Sequence, residues 1–186
     1  MVADPLSTHD CCLESDGAAA VLVTSAERAR DFKQPPAYIM AAAYATGPKP
    51  ETMTNFYRED MTISYETRSL AEQLFRIAGV DRRDIDVVQV YDHFSPLVIM
   101  ALEDLGFAKK GEGGPFVESG ALGRGGSLPT NTAGGLMGEA YIHGLNLITE
   151  GARQVRGDSP NPVPNVELSL VAAGNGVPTS GLILRK

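Results

Sequence analysis

A chain of 186 residues that is 43% hydrophobic and 21% charged has enough apolar content to close one globular domain, which excludes a disordered or fibrous protein. Its formal net charge of -7 speaks against nucleic acid or an anionic membrane as partner, since like charges would meet. No run nears the roughly eighteen apolar residues of a membrane span and no basic-then-apolar leader opens the chain, while Cys11 and Cys12 are adjacent, a spacing unsuited to zinc or a redox pair; a reduced, cytoplasmic protein is expected.

Short apolar runs of strand length alternate with helical patterns. AAVLVTS (19 to 25) and YIMAAAY (38 to 44) read as the first two strands. In SLAEQLFRIAGV, Leu70, Leu74, Ile77 and Ala78 share one helical face and Gly79 is a stop. IDVVQVY (85 to 91) is a third strand, and Ser95 can cap a helix with Pro96 in its first turn and a stripe of Leu97, Ala101, Leu102 and Leu105 ending at Gly106. The tetrad Tyr91, Asp92, His93, Phe94 therefore falls at the carboxyl end of a strand. From Lys110 to Gly135 the chain is rich in glycine and serine and reads as one long functional loop. A third helix is expected from Met137 to Arg156, with Met137, Tyr141, Ile148, Ala152 and Val155 on one face and Arg153 and Arg156 at its C-terminal end. After the polar turn GDSPNPVPN (157 to 165), VELSLVAA (166 to 173) and SGLILR (180 to 185) form an antiparallel pair joined by GNGVPT. The pattern predicts an α/β fold in which a mixed five-stranded sheet is packed with helices, and ligands gather at the carboxyl ends of strands in such sheets.

Several segments in this order resemble the C-terminal half of the thiolase superfamily: DCCLESDGAAAVLVTSAERA opens it, VYDHF stands for Asn-Glu-Ala-Phe, NTAGGLMGEAYIHG for Asn-x-x-Gly-Gly followed by Gly-His-Pro, and VAAGNG for Cys-x-Gly-Gly-Gly. The similarity runs from about Asp4 to Leu184, and within the superfamily it is closest to the lipid-transfer or sterol-carrier branch and its steroid side-chain-cleaving aldolases. Where a thiolase has its catalytic His this chain has Tyr141, with His143 two positions later; the Asn is replaced by Tyr91 and the Cys by Ala172. The resemblance implies residues 1 to 186 as one thiolase-like C-terminal domain, with the N-terminal half of such an enzyme absent; MVADPLSTHDCC resembles the middle of a longer chain.

Retro-aldol cleavage needs a base for the β-hydroxyl, donors for the thioester enolate, and an acid for the departing carbon. The resemblance implies Tyr91 and Tyr141 as the acid/base pair. A phenol can act as base if cationic or hydrogen-bonding neighbours lower its pKa from about 10, and His93 and His143 are such neighbours. Asn131 and the turn Gly174, Asn175, Gly176 are the expected oxyanion donors. Each residue also has a structural reading. By periodicity Tyr141 is a packed core tyrosine, Tyr91 an ordinary strand-end aromatic, and His93 a ring oriented by Asp92. His9 is structural or exposed, the cysteines are small buried hydrophobes, and Arg124 is a solvated loop cation or a contact for a CoA phosphate.

No metal and no cofactor is expected beyond the CoA that forms part of an acyl-CoA thioester substrate. By family analogy the products are propionyl-CoA and a 17-keto steroid, and the partner is an OB-like domain of an acyl-CoA hydratase. The other readings are a non-catalytic thiolase-like lipid-binding or scaffold subunit and, less favoured, an acetyl-CoA acyltransferase. A lone half should expose apolar surface and associate, giving a homodimer or larger oligomer.

Overall fold

The computed structural model describes residues 1–50, 58–174 and 179–186. Four of the expected strands form one mixed sheet of order β1-β4-β3-β2: β1 (Tyr38–Ala45), β2 (Val87–Val90), β3 (Leu168–Ala173) and β4 (Thr179–Arg185). β2 and β3 are parallel, and β4 runs antiparallel to both its neighbours. The expected fifth strand, AAVLVTS, does not form. Its Val21, Leu22 and Val23 are 45%, 76% and 73% exposed, and the run leads into the short helix α1 (Ala26–Ala29), capped by the Ser25 hydroxyl. Val and Leu favour a strand, but a strand also needs a neighbour for its backbone groups, and none of the described residues supplies one.

α2 (Tyr65–Ala78) starts at Ser64, whose hydroxyl accepts from the Thr67 N–H at 3.2 Å. It stops at Gly79, where φ is +68° and the N–H donates to the Phe75 carbonyl. It buries Leu70, Ala71, Leu74 and Phe75. Ile77, placed on that face by the sequence pattern, is 53% exposed, whereas Phe75 is buried, its ring edge-to-face with Phe107. In its first turn, the fully buried Glu66 carboxylate pairs with both terminal nitrogens of Arg58.

α3 (Ser95–Asp104) carries Pro96 in its first turn as expected. Ser95 does not cap it: its hydroxyl donates instead to Asp10 Oδ1 at 2.7 Å, tying the N-terminal segment to the helix. The region 110–135 is not one loop, since α4 (Gly113–Glu118) forms inside it, with Glu103 Oε1 accepting from the Gly111 and Gly113 amides and Phe116 and Val117 packed on the core. The expected long helix is two, α5 (Gly135–Gly138) and α6 (Leu145–Arg156). His143 and Gly144 have φ of +54° and +82°, in the left-handed region that ends a helix, so Tyr141 and His143 lie in the break and not on a helical face.

Side chains of β2 alternate between the sheet's two covered faces, and all four are buried. Val88 and Val90 join Leu70, Leu74, Leu102, Leu105, Leu170 and Ile183 under α2 and α3. Val87 joins Leu147, Val155, Val171 and Leu184 under α6. Each such side chain contributes about 1.5–3 kcal/mol by leaving water, which anchors β2 from both faces. Among the described residues no helix is long and apolar enough to cross a membrane.

Candidate active site

The end of β2 is held from both sides. The Tyr91 N–H donates to the Ala172 carbonyl of β3 at 3.1 Å. On the other side Asn131 continues the ladder: its main-chain N–H donates to the Val88 carbonyl, its side-chain amide donates to the Val90 carbonyl at 3.0 Å, and its Oδ1 accepts from the Val90 N–H at 2.8 Å. Both polar ends of the Asn131 side chain thus engage the strand, through the oxygen and one of the two amide hydrogens.

Tyr91 and Asp92, the next two residues, each seat against a glycine of the segment that carries the second tyrosine. A Cβ on Gly144 would lie 3.1 Å from Tyr91 Cδ2, and one on Gly135 would lie 2.2 Å from Asp92 Oδ2. Between these two contacts the chain places the Tyr141 hydroxyl to accept from the Tyr91 hydroxyl at 3.2 Å, with His143 Nδ1 3.4 Å from the same Tyr91 oxygen. The rings of Tyr91 and Tyr141 meet edge to face with centroids 6.2 Å apart, and the His143 ring is 4.7 Å from that of Tyr141. His93 is also in contact, its ring edge-on to Tyr91 at 4.9 Å.

The N-terminal segment crosses this site. The Cys12 N–H donates to the His93 carbonyl at 2.9 Å, Cys11 bridges Phe94, and Glu14 bridges Tyr141. Cys12 thus packs with both tyrosines in the second core cluster. The sequence offered no signal for this beyond the small apolar character of the residue. Both cysteines are free thiols.

The electrostatics differ from expectation. A phenol acting as base would need a lowered pKa; burial instead pushes Tyr91 well above its ordinary value, reinforced by the hydrogen bond to Tyr141 and by the Tyr141 and Cys12 side chains. His93 is not the cationic neighbour that a lowered phenol pKa would need, because burial pushes its own pKa down and favours the neutral ring, against the opposing pull of the Tyr91 carbonyl and Asp92. Burial raises the Cys12 thiol, with Asp92 adding to it. The result is a phenol held protonated and donating to a second phenol, an arrangement able to deliver a proton and take one up at neighbouring oxygens.

Of the expected oxyanion turn, Gly174 follows the end of β3 with φ of +90°, and Ala173 lies close by, 3.8 Å from where a Gly144 Cβ would be. Asn175 and Gly176 lie outside the described residues. Arg124 is exposed and lines an open hollow with Leu122, Thr130, Asn131, Thr132 and Asn161. His9 forms part of a short turn capped by Ser7 and is exposed. Among the described residues no group of three or more His, Cys, Asp or Glu is placed to hold a metal ion.

This geometry sits in a recognisable fold. Residues 47–184 match the model of the thiolase C-terminal domain-like family, and the chain belongs to that family. Among its relatives is a 17-hydroxy-3-oxo-4-pregnene-20-carboxyl-CoA lyase of Mycobacterium tuberculosis, 51% identical over 98% of this chain and 47% of the lyase. A steroid side-chain-cleaving aldolase of Thermomonospora curvata is 49% identical over the same shares. Among solved structures, a chain described as an Ltp2-ChsH2(DUF35) aldolase superposes with a TM-score of 0.97 at 49% identity, covering 100% of this chain and 48% of its own. The chain spans about half the length of the curated relatives it matches.

Proposed function

We propose that this chain carries the proton-transfer half of a carbon-carbon lyase that cleaves a steroid-type β-hydroxyacyl-CoA by a retro-aldol reaction. The observation that supports this reading is the Tyr91 hydroxyl donating to the Tyr141 hydroxyl at 3.2 Å, in a chain about half identical to two steroid side-chain lyases.

The order of the two phenols follows from Tyr91. Burial and the hydrogen bond it donates hold it protonated, so Tyr91 is the acid and Tyr141, the acceptor of that bond, is the base. Tyr141 enters as the phenolate that the Tyr91 hydrogen bond stabilises, and its oxygen takes the proton of the β-hydroxyl. The electrons of that O–H bond form the ketone, and the bond between the α and β carbons breaks with its pair on the α carbon as a thioester enolate. Tyr91 then protonates the α carbon, which gives propionyl-CoA and the 17-keto steroid. No electron is gained or lost overall. The proton now on Tyr141 returns to Tyr91 through their shared hydrogen bond, which restores the starting state. His143 Nδ1 offers a second path to the Tyr91 oxygen. The enolate oxygen is assigned to the Gly174, Asn175, Gly176 turn. CoA enters as part of the substrate, with no separate cofactor.

The partner is proposed on the same footing: a protein carrying a DUF35-type domain, as named in the solved Ltp2-ChsH2(DUF35) aldolase, in the place of the OB-like hydratase domain that the resemblance implies. The exposed Leu13, Val21, Leu22, Val23, Ile39 and Tyr44 form apolar surface suited to a subunit or inter-half contact.

The test uses the full-length protein with its partner and a 17-hydroxy steroid side-chain CoA ester. Formation of 17-ketone and propionyl-CoA supports the lyase, with loss of about 100-fold or more in turnover for Tyr91→Phe and for Tyr141→Phe. Because the two act as a unit, the double variant should lose little more than either single one. Full cleavage by both variants refutes the assignment. A CoA-dependent acyl-transfer product points to a thiolase, and binding without turnover to a scaffold.

A further inference from the structure

We propose that Asp92 is a positioning residue, whose carboxylate sets the distance between the two phenols by holding the segment that carries Tyr141. The proposal rests on the lyase reading only for its activity readout; the geometry stands apart from it.

Asp92 is 3% exposed and immediately follows Tyr91, so its backbone is fixed by the same strand end. Its Oδ1 accepts from the Leu136 N–H at 2.7 Å and its Oδ2 from the Met137 N–H at 3.4 Å. The approach is close enough that only glycine fits at position 135, where a Cβ would fall 2.2 Å from Oδ2 and φ is +64°. No ion pair among the described residues involves Asp92; main-chain N–H groups are what balance its buried carboxylate. Five residues beyond Leu136 comes Tyr141.

The far side of the segment is fastened independently. Asn146, 2% exposed, donates from its amide toward the Glu139 carboxylate at 3.1 Å and the Ala140 and Gly135 carbonyls at 3.2 and 3.4 Å. Gly144 rests on the Tyr91 ring. Asn146 and Gly144 are on α6 or at its entrance, whereas Asp92 links the segment directly to the residue beside Tyr91. Together with the Gly144 seat on the Tyr91 ring, it sets Tyr141 relative to Tyr91 and not merely relative to α6. A hydrogen bond already at 3.2 Å tolerates little further opening before it is lost, so a modest release at Asp92 separates the pair.

The decisive variant in the full-length protein is Asp92→Asn, which keeps the shape and replaces one acceptor oxygen by an amino group that faces an N–H. The expected result is a turnover number at least tenfold lower with KM within about threefold, as for a group that acts on geometry and not on substrate binding. In parallel, the ultraviolet titration of the Tyr91 phenol, isolated by difference against Tyr91→Phe, moves down toward the ordinary tyrosine range as Tyr141 withdraws. A purely structural role would lower the melting temperature and leave both readouts unmoved. Unchanged turnover together with an unchanged phenol titration overturns the proposal. If the wild-type protein shows no cleavage, the lyase reading fails while the titration still decides the role of Asp92. Should Asp92→Asn not fold, hydrogen exchange on the wild type takes its place: Leu136 and Met137 amides as protected as that of Val90 support the restraint, and exchange at loop rates overturns it.

Discussion

Gly144→Ala offers a measured push on the Tyr91 ring. At φ of +82° an alanine pays about 1–2 kcal/mol in backbone strain. Its Cβ would also sit 3.1 and 3.2 Å from Tyr91 Cδ2 and Cε2, so the ring must yield by a few tenths of an ångström. Carried along the ring, that displacement grows to about half an ångström at the phenol oxygen; since about 1 Å of misplacement costs on the order of 100-fold, roughly tenfold is expected in turnover. Gly157→Ala is the control. It has φ of +78° and nothing within 4 Å of the added Cβ, so it carries the same strain with no ring to move. Both variants should melt a few degrees lower by calorimetry, but only Gly144→Ala should lose activity in the full-length lyase assay. Equal turnover in the two variants would sink the idea that Gly144 sets the Tyr91 ring.

Two further outcomes are expected. Glu66→Gln removes the carboxylate of the buried Arg58–Glu66 ion pair, which should destabilise by about 3 kcal/mol or more in a denaturant titration at neutral pH. Burial alone would raise the Glu66 pKa, but the hydrogen bonds and charge of Arg58 outweigh it and hold the carboxyl below its usual 4.5. The stabilisation is therefore full above the unfolded-state value and is lost as pH falls through the lower folded-state value, so the gap between wild type and variant should close in strong acid. A gap that stays constant down to acid unfolding contradicts this. The chain alone, with Val21, Leu22 and Val23 exposed, should form dimers or larger species by light scattering, and replacing Leu22 and Val23 by Asp should shift it toward monomer; a monomeric wild type refutes the expectation.

Much of the fold was legible because its signals are local. The apolar runs of β1 to β4, the stop at Gly79 and the Pro96 helix start all depend on neighbours within a few residues. AAVLVTS failed for a physical reason: composition reports that a run suits a sheet, not that a partner strand lies beside it. Tyr141 misled in another way. Its spacing from Met137 and Ile148 mimics a helical face, while the positive φ at His143 and Gly144 that breaks the helix leaves no mark in hydrophobic periodicity. The site residues Tyr91, Tyr141 and His143 came from the family pattern and meet in space, whereas the direction of the Tyr91 pKa depends on burial, which one sequence does not reveal. The anchoring of Asn131 to the end of β2 likewise depends on a strand 41 residues earlier, which its own neighbours in sequence do not announce.

The way the Tyr141 segment docks has an evolutionary consequence. Its two seats just past the end of β2 are a carboxylate receiving main-chain N–H groups and a tyrosine ring lying on a glycine. Neither seat consults the side chains at positions 140 to 143. Those positions can therefore change identity, exchanging one proton-transfer group for another, without disturbing the sheet beneath. Selection on reaction type is uncoupled here from selection on folding, which makes this short segment the place where new chemistry can be tried on an old frame.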